Sequence, residues 1–308
     1  MIRTGSGGFR YESIPNWCQL PKGIQQLGNT HGNIVIDAGG LVYFNTDTER
    51  SVMVYRADGR FVRAFGKQTI GIHDMELRQE DGVSFLYAAH LAGSQVVKYT
   101  LDGQPVWTLP WPKESGKYQN AKQYKPTSVT VAPDGSVYVA DGYGQNWIHQ
   151  YDADRRYVRS FGGKGQAPGQ VHTCHGLRVD TRTSPATLIV CDRENRRLQR
   201  FSLEGKFLEV LATGLRRPCH VDFWGELTVV AELEARVTIL DRHFQVLAHL
   251  GDNPDQTQWA KNPVGPEQWQ EGVFIAPHGV CFDTTGNLYV MDWNRSGRIS
   301  KLVRQSSD

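Results

Sequence analysis

The chain has 308 residues, with 34 Lys and Arg against 32 Asp and Glu, for a formal net charge of +2. That balance argues against a broad nucleic-acid footprint or a polybasic membrane surface, and no apolar run reaches the roughly 18–20 residues needed to span a bilayer. Cys18, Cys174, Cys191, Cys219 and Cys281 are odd in number and widely spaced, which is not a disulfide framework. Residues 1–8 contain no apolar stretch of the signal-peptide kind. The expected compartment is therefore the cytoplasm, or the secreted or periplasmic space for a chain from which a signal sequence has been removed.

The first β-rich segment is Phe9-Arg10-Tyr11-Glu12-Ser13-Ile14. Six units follow, opening at His31-Gly32-Asn33, His73-Asp74-Met75, Thr127-Ser128-Val129, His175-Gly176-Leu177, His220-Val221-Asp222 and His278-Gly279-Val280. Within them, alternating runs such as Leu41-Val42-Tyr43-Phe44 and Ser136-Val137-Tyr138-Val139 flank glycine turns. These turns are Gly39-Gly40, Asp58-Gly59, Asp81-Gly82, Asp102-Gly103, Asp134-Gly135, Glu204-Gly205 and Gly286-Asn287. Such pairs supply the positive φ of tight primed hairpins. No segment sustains a 3.6-residue apolar period, so helix is minor. Four strands per unit of about 40–50 residues predict an all-β, six-bladed β-propeller. One domain over 1–308 is expected, with blades near 31–66, 72–109, 125–162, 174–214, 218–251 and 277–305. The last unit has three strands of its own, so residues 9–14 are expected to close the ring as its outermost strand.

In that topology the inner strands begin, and the second strands end, at one face. The long connections, residues 110–125, 163–174 and 251–277, rim the same face, which makes it the binding side. Five units begin on histidine. His73, His175 and His278 start alternate blades, about 120° apart around a sixfold ring. Three imidazoles there form a candidate metal site with positions left for water or substrate, as in catalytic zinc. Zn2+ leads, with Fe2+ or another divalent transition metal as alternatives. His31 and His220, in blades one and five, could add ligands, hydrogen-bond substrate or do neither. The second strands end at Asp141-Gly142-Tyr143, Asp192-Arg193-Glu194-Asn195, Ala89-His90 and Asp292-Trp293. Tyr143 and Arg193 are the candidate catalytic residues; Arg193, His31, His90, His220 and Trp293 are candidate substrate contacts. Asp141, Asp192 and Asp292 are expected to cap strand ends.

These motifs resemble NHL-repeat propellers and, more specifically, the peptidyl-α-hydroxyglycine α-amidating lyase family. Ile72-His73-Asp74, Cys174-His175-Gly176 and Pro277-His278-Gly279 match that family's metal histidines. Asp141-Gly142-Tyr143 matches its catalytic tyrosine, and Asp192-Arg193-Glu194-Asn195 its substrate arginine. The resemblance implies a zinc lyase that cleaves a carbinolamine to an amide and glyoxylate. The family's second arginine has no counterpart in Phe44-Asn45-Thr46-Asp47-Thr48, so a small α-hydroxy amide or ureido acid is expected in place of a long peptide. The alternative is a non-catalytic NHL-type scaffold for a ligand or protein partner. Neither nucleic acid nor membrane is an expected partner. A lactonase-like hydrolase would use a carboxylate and amide calcium site, and the histidine ring argues against it.

Overall fold

A computed structural model describes residues 2–305 of the chain. Met1 and residues 306–308, the outer ends of the expected domain, lie outside the described residues. The fold is a six-bladed β-propeller with antiparallel blades, as the repeat predicts. Helix is confined to five three-residue 3-10 turns among the described residues, and none is long and apolar enough to cross a membrane. All five cysteines are free thiols.

Strands β1 (Ile2–Ser6) and β2 (Phe9–Ile14) precede blade one, which comprises β3 (Ile34–Ile36), β4 (Val42–Asn45), β5 (Val52–Tyr55) and β6 (Phe61–Phe65). Blade two is β7 (Ile72–Glu80), β8 (Val83–His90), β9 (Gln95–Thr100) and β10 (Pro105–Pro110). Blade three is β11 (Ser128–Val131), β12 (Val137–Ala140), β13 (Trp147–Tyr151) and β14 (Tyr157–Gly162). Blade four is β15 (Cys174–Asp180), β16 (Thr187–Asp192), β17 (Arg197–Ser202) and β18 (Phe207–Thr213). Blade five is β19 (Pro218–Trp224), β20 (Leu227–Glu232), β21 (Arg236–Leu240) and β22 (Val246–Leu250), and blade six supplies β23 (Pro277–Phe282), β24 (Leu288–Asp292) and β25 (Arg298–Arg304). Two compact units divide the chain: Met1–Ile70 with Cys219–Asp308, and Gly71–Pro218.

In the first unit, β2 pairs with β25, Tyr11 opposite Arg304 and Ile14 opposite Lys301, and so completes blade six. It is not the outermost strand, as the sequence led us to expect. β1 folds back on β2 through Gly7-Gly8 and adds a fifth strand. The Thr4 hydroxyl accepts from the Gly251 amide at 2.6 Å, which ties β1 to the end of β22. Gly5, at φ +88, leaves no room for a side chain against Leu250. Tyr11 from β2 is fully buried among Val229, Val280, Val290 and Leu302.

The turns also differ in type from the expectation. At Ala132-Pro133-Asp134-Gly135 the Gly135 amide donates to the Ala132 carbonyl at 3.0 Å, and Gly135 has φ +85. This is an ordinary turn closed by a left-handed glycine, a three-residue hairpin loop. The bonds at Gly40, Gly59, Gly103, Gly205 and Gly286 repeat it. Only Asp81-Gly82, of the pairs named above, has both φ angles positive, as a primed turn requires.

Each sheet leaves two edges to manage. On the outer strands of blades one to five, extra residues bulge out at Val62, Val106, Val158, Leu208, Leu211 and Leu247. These bulges bend the edge away from further pairing. Three of the inner edges, those of blades three, four and six, are lined by side chains of the preceding blade. In the second unit, Asp74 and Glu76 of β7 accept from the amides of Val129 and Val131 at 3.3 and 3.0 Å. Ser128 and Thr130 of β11 accept from Leu177 and Val179 at 2.9 and 3.2 Å. In the first unit Asp222 accepts from Phe282 at 2.9 Å.

Deleting residues 2–14 should uncover the β25 edge and the space filled by Tyr11, and the protein should aggregate in light-scattering measurements. Deleting residues 2–6 alone should leave it soluble. A soluble, fully folded 2–14 deletion would contradict this account of closure.

Candidate functional site

The inner strands that carry His73, His175 and His278 share a backbone irregularity. Pairing slips by one residue between Ile72 and Asp74, between Cys174 and Leu177, and between Pro277 and Gly279. Each slip contains the histidine. Blade three, with Thr127 in the histidine's place, pairs without a slip, and so does blade one, where His31 lies ahead of the strand. A bulge re-aims a side chain out of the strict alternation of a strand.

Two of these imidazoles are fixed by the next blade's backbone. His73 Nδ1 lies 2.7 Å from the Thr127 carbonyl oxygen, and His278 Nδ1 lies 2.7 Å from that of Gly32. A carbonyl only accepts, so Nδ1 carries the hydrogen and donates it. In the neutral ring the lone pair is then at Nε2.

In the second unit, four expected residues come together. Tyr143 Oη lies 3.3 Å from His73 Nε2 and 3.0 Å from His175 Nε2, and it accepts from Arg193 Nη1 at 3.0 Å. The two imidazole centroids are 4.8 Å apart. Arg193 also lies over the Tyr143 ring, 5.3 Å from its centroid.

Tyr143 is presented on a turn built around Asp141. That carboxylate, fully buried, accepts from the amides of Lys125 and Gln145, each at 2.6 Å. A side chain at position 144 would stand 2.1 Å from Asp141 Oδ1, so Gly144 is required by space. Tyr118 Oη donates to Asp141 Oδ2 at 2.7 Å and lies 2.6 Å from His149 Nε2. Burial pushes the Asp141 carboxyl up to about 6, against the pull of its hydrogen bonds. Burial, with the charge of Lys117, lowers His149 to about 3.

Arg193 is held from behind. Its Nε donates to Glu194 Oε1 at 2.9 Å, while Arg217 donates to both Glu194 oxygens at 2.7 and 3.2 Å. Burial works against the Glu194 charge. The hydrogen bond from Arg217 and the charges of Arg193 and Arg217 nevertheless hold its carboxyl below the usual range. Asp192 and Asp292 behave as strand-end caps. Asp192 accepts from the His172 amide at 2.7 Å, and Asp292 from those of Ile275 and Ala276 at 3.1 and 2.7 Å.

In the first unit the His31 ring lies 5.0 Å from His278 and 5.9 Å from Trp293. His31 Nδ1 is 3.9 Å from Asp47, within the stretch where the resembling family has its second arginine. His220 Nε2 accepts from Asn33 at 2.8 Å. In the second unit His90 Nδ1 accepts from Gln95 at 3.3 Å, and its ring fills the space beside Gly93. Sequence reasoning missed the parts played by Glu194, Arg217 and Tyr118. Glu194 adjoins a singled-out arginine, whereas Arg217 lies in a blade connection that gives no local signal.

No protein-family model matches the chain. Over 230 residues it is 28% identical to the peptidylglycine alpha-amidating monooxygenase of Rattus norvegicus, covering 65% of this chain and 23% of that protein. The chain thus spans about a quarter of the length of the curated relatives it matches. A streptogramin B lyase structure superposes with a TM-score of 0.64 at 13% identity, covering 98% of both chains. A putative gluconolactonase gives 0.64 at 14% identity, covering 97% of this chain and 98% of the other. At that identity the likeness speaks for the propeller fold alone.

The Asp141 network makes a signed prediction about pH. The unfolded His149 ring takes a proton near 6.5 and the folded one only near 3. Its contribution to stability is therefore present above 6.5 and lost as pH falls towards 3. Asp141, raised to about 6, acts oppositely between about 6 and its unfolded value of 3.8. His149→Asn should be less stable than the parent at pH 7.5, and the gap should narrow by about 2 kcal/mol at pH 5. Urea denaturation at the two pH values checks it; a constant gap would refute the assignment.

Proposed function

We propose that the chain is a metal-dependent lyase acting on a carbinolamine, an N-acyl-α-hydroxyglycine or a small α-hydroxy amide or ureido acid. Its products are an amide and glyoxylate. The observation that carries this reading is Tyr143 Oη, within hydrogen-bond reach of two imidazole Nε2 atoms and one guanidinium. The similarity to an amidating protein supports it.

His73, His175 and His278 are the proposed ligands of a divalent ion, zinc first and Fe2+ next. The donor chemistry of two of them suits such an ion. His73 and His278 each turn Nδ1–H to a carbonyl, which leaves Nε2 as the coordinating nitrogen. Imidazole suits zinc, iron and copper alike. When bound, the ion supplies Lewis-acid polarisation of a substrate oxygen.

The chain's own residues account for the proton and the charge. Arg193 donates into Tyr143 Oη, which stabilises negative charge there. The phenolate takes the proton of the substrate hydroxyl. The C–N bond then breaks as that carbon and its oxygen become the carbonyl of glyoxylate. The proton held at Oη passes to the departing amide nitrogen, so the balance closes without a second acid. The planar donor fork of Arg193 suits the substrate carboxylate. An acid, Asp47, stands in the blade-one segment where a second carboxylate-binding arginine is lacking. This favours a small substrate.

The test joins elemental analysis of protein purified without a histidine tag to glyoxylate release from a panel of such compounds. Tyr143→Phe should keep metal and fold yet lose about 10²–10⁴-fold in turnover. Arg193→Lys should weaken substrate binding, and His175→Ala should lose metal and activity together. Stoichiometric metal without any glyoxylate would sink the lyase assignment. A metal-free, inactive protein would favour a binding scaffold.

A further inference from the structure

We infer that Thr127 is a positioning residue that holds Tyr143 and His175 in one geometry, an inference that rests on the lyase reading of the same site. Blade three is the only unit of the repeat that opens without histidine. The threonine there is 1% exposed and meets three parts of the site. Its carbonyl oxygen lies 2.7 Å from His73 Nδ1. Its Oγ1 accepts from the Gly142 amide at 3.1 Å, the residue before Tyr143. The same hydroxyl donates to the Cys174 carbonyl at 2.8 Å, the residue before His175; the Ala140 carbonyl, at 3.3 Å, is a weaker alternative.

A hydroxyl can accept and donate at once, and Oγ1 uses both capacities. No other natural side chain of this size except serine offers them, and an imidazole at this position would not fit. A Cβ added at Gly142 would stand 2.7 Å from Thr127 Oγ1 and 2.4 Å from the Cys174 oxygen. The turn is therefore pressed against the threonine with no slack. Histidine at the opening of blade three would displace the turn that carries the phenol. The departure from the repeat is a requirement of the site. Thr127 acts through Tyr143 and His175; it has no contact with the reacting atoms.

Thr127→Val removes the hydroxyl at constant shape, and Thr127→Ser keeps it. The His73 contact is to a backbone oxygen and survives both. A displacement of the order of 1 Å costs a reaction up to about 10²-fold. Thr127→Val should therefore lower kcat about 10–100-fold per bound zinc, with KM changed less than about threefold. Thr127→Ser should restore most of it. A merely structural role would reduce the folded fraction and leave kcat per bound zinc unchanged; that result would overturn the inference.

A second readout does not depend on turnover. Crystal structures of the two variants give the positions of the Tyr143 hydroxyl and the His175 ring directly. Both should shift by on the order of 1 Å in Thr127→Val and return in Thr127→Ser. If the parent protein releases no glyoxylate, the lyase reading fails. The crystal structures then still decide the positioning role, and an unmoved Tyr143 and His175 refute it.

Discussion

The innermost strand of each blade has an edge with no strand beside it. Amides on that edge are too deep to be left to water, and each one unpaired costs about 1–3 kcal/mol. In blades three, four and six the chain solves this with side chains of the preceding blade: Asp74 and Glu76 for Val129 and Val131, Ser128 and Thr130 for Leu177 and Val179, Asp222 for Phe282. The partners lie on alternate residues because alternate residues of a strand point one way. The same stitch, reversed in polarity, governs the histidines. His73 and His278 give a hydrogen to a carbonyl of the next blade. The interaction that joins these blades therefore also selects the tautomer, and so leaves the lone pair of the neutral ring at Nε2. Fold and chemistry draw on one set of bonds.

How much of this is legible in the sequence depends on whether the cause is local. The six units, the positions of the glycine turns and the pairing of residues 9–14 onto blade six follow from short-range alternation and turn chemistry, and they read correctly; the place of residues 9–14 as the outermost strand does not. The turn type does not. Asp134-Gly135 looks like a two-residue primed turn, but Pro133 takes a central place and moves the glycine to the closing position. β1 was also invisible. Ile2-Arg3-Thr4-Gly5-Ser6 has one apolar residue and no alternation, and its pairing depends on Thr4 and Gly5 meeting the end of blade five.

The candidate site shows the same division. Histidine recurring at strand starts is a sequence signal, and so is its alternation at 73, 175 and 278. What separates these three from His31 is a one-residue slip of pairing, which no composition or spacing announces. The Asp141 cap could be expected from its place at a strand end. Its link through Tyr118 to His149 could not, because Tyr118 comes from the long connection that precedes the blade. Arg217 is unreadable for the same reason. It reaches Glu194 across a blade connection whose course is set by packing.

Charge gives the last constraint on what the proposed site would accept. Arg193, Glu194 and Arg217 form a cluster in which one carboxylate is shared by two guanidiniums. With Glu194 held ionised, the three carry one net positive charge. Arg193 is 9% exposed and directs Nη1 at a phenol. A neutral phenol is a weak counter-charge for a guanidinium taken this far from water, and a phenolate or a carboxylate is a strong one. On the proposed reading, a substrate that brings its own carboxylate would complete the balance, and a cationic one would be repelled by the same groups. That preference follows from the geometry of Glu194 between its two arginines alone.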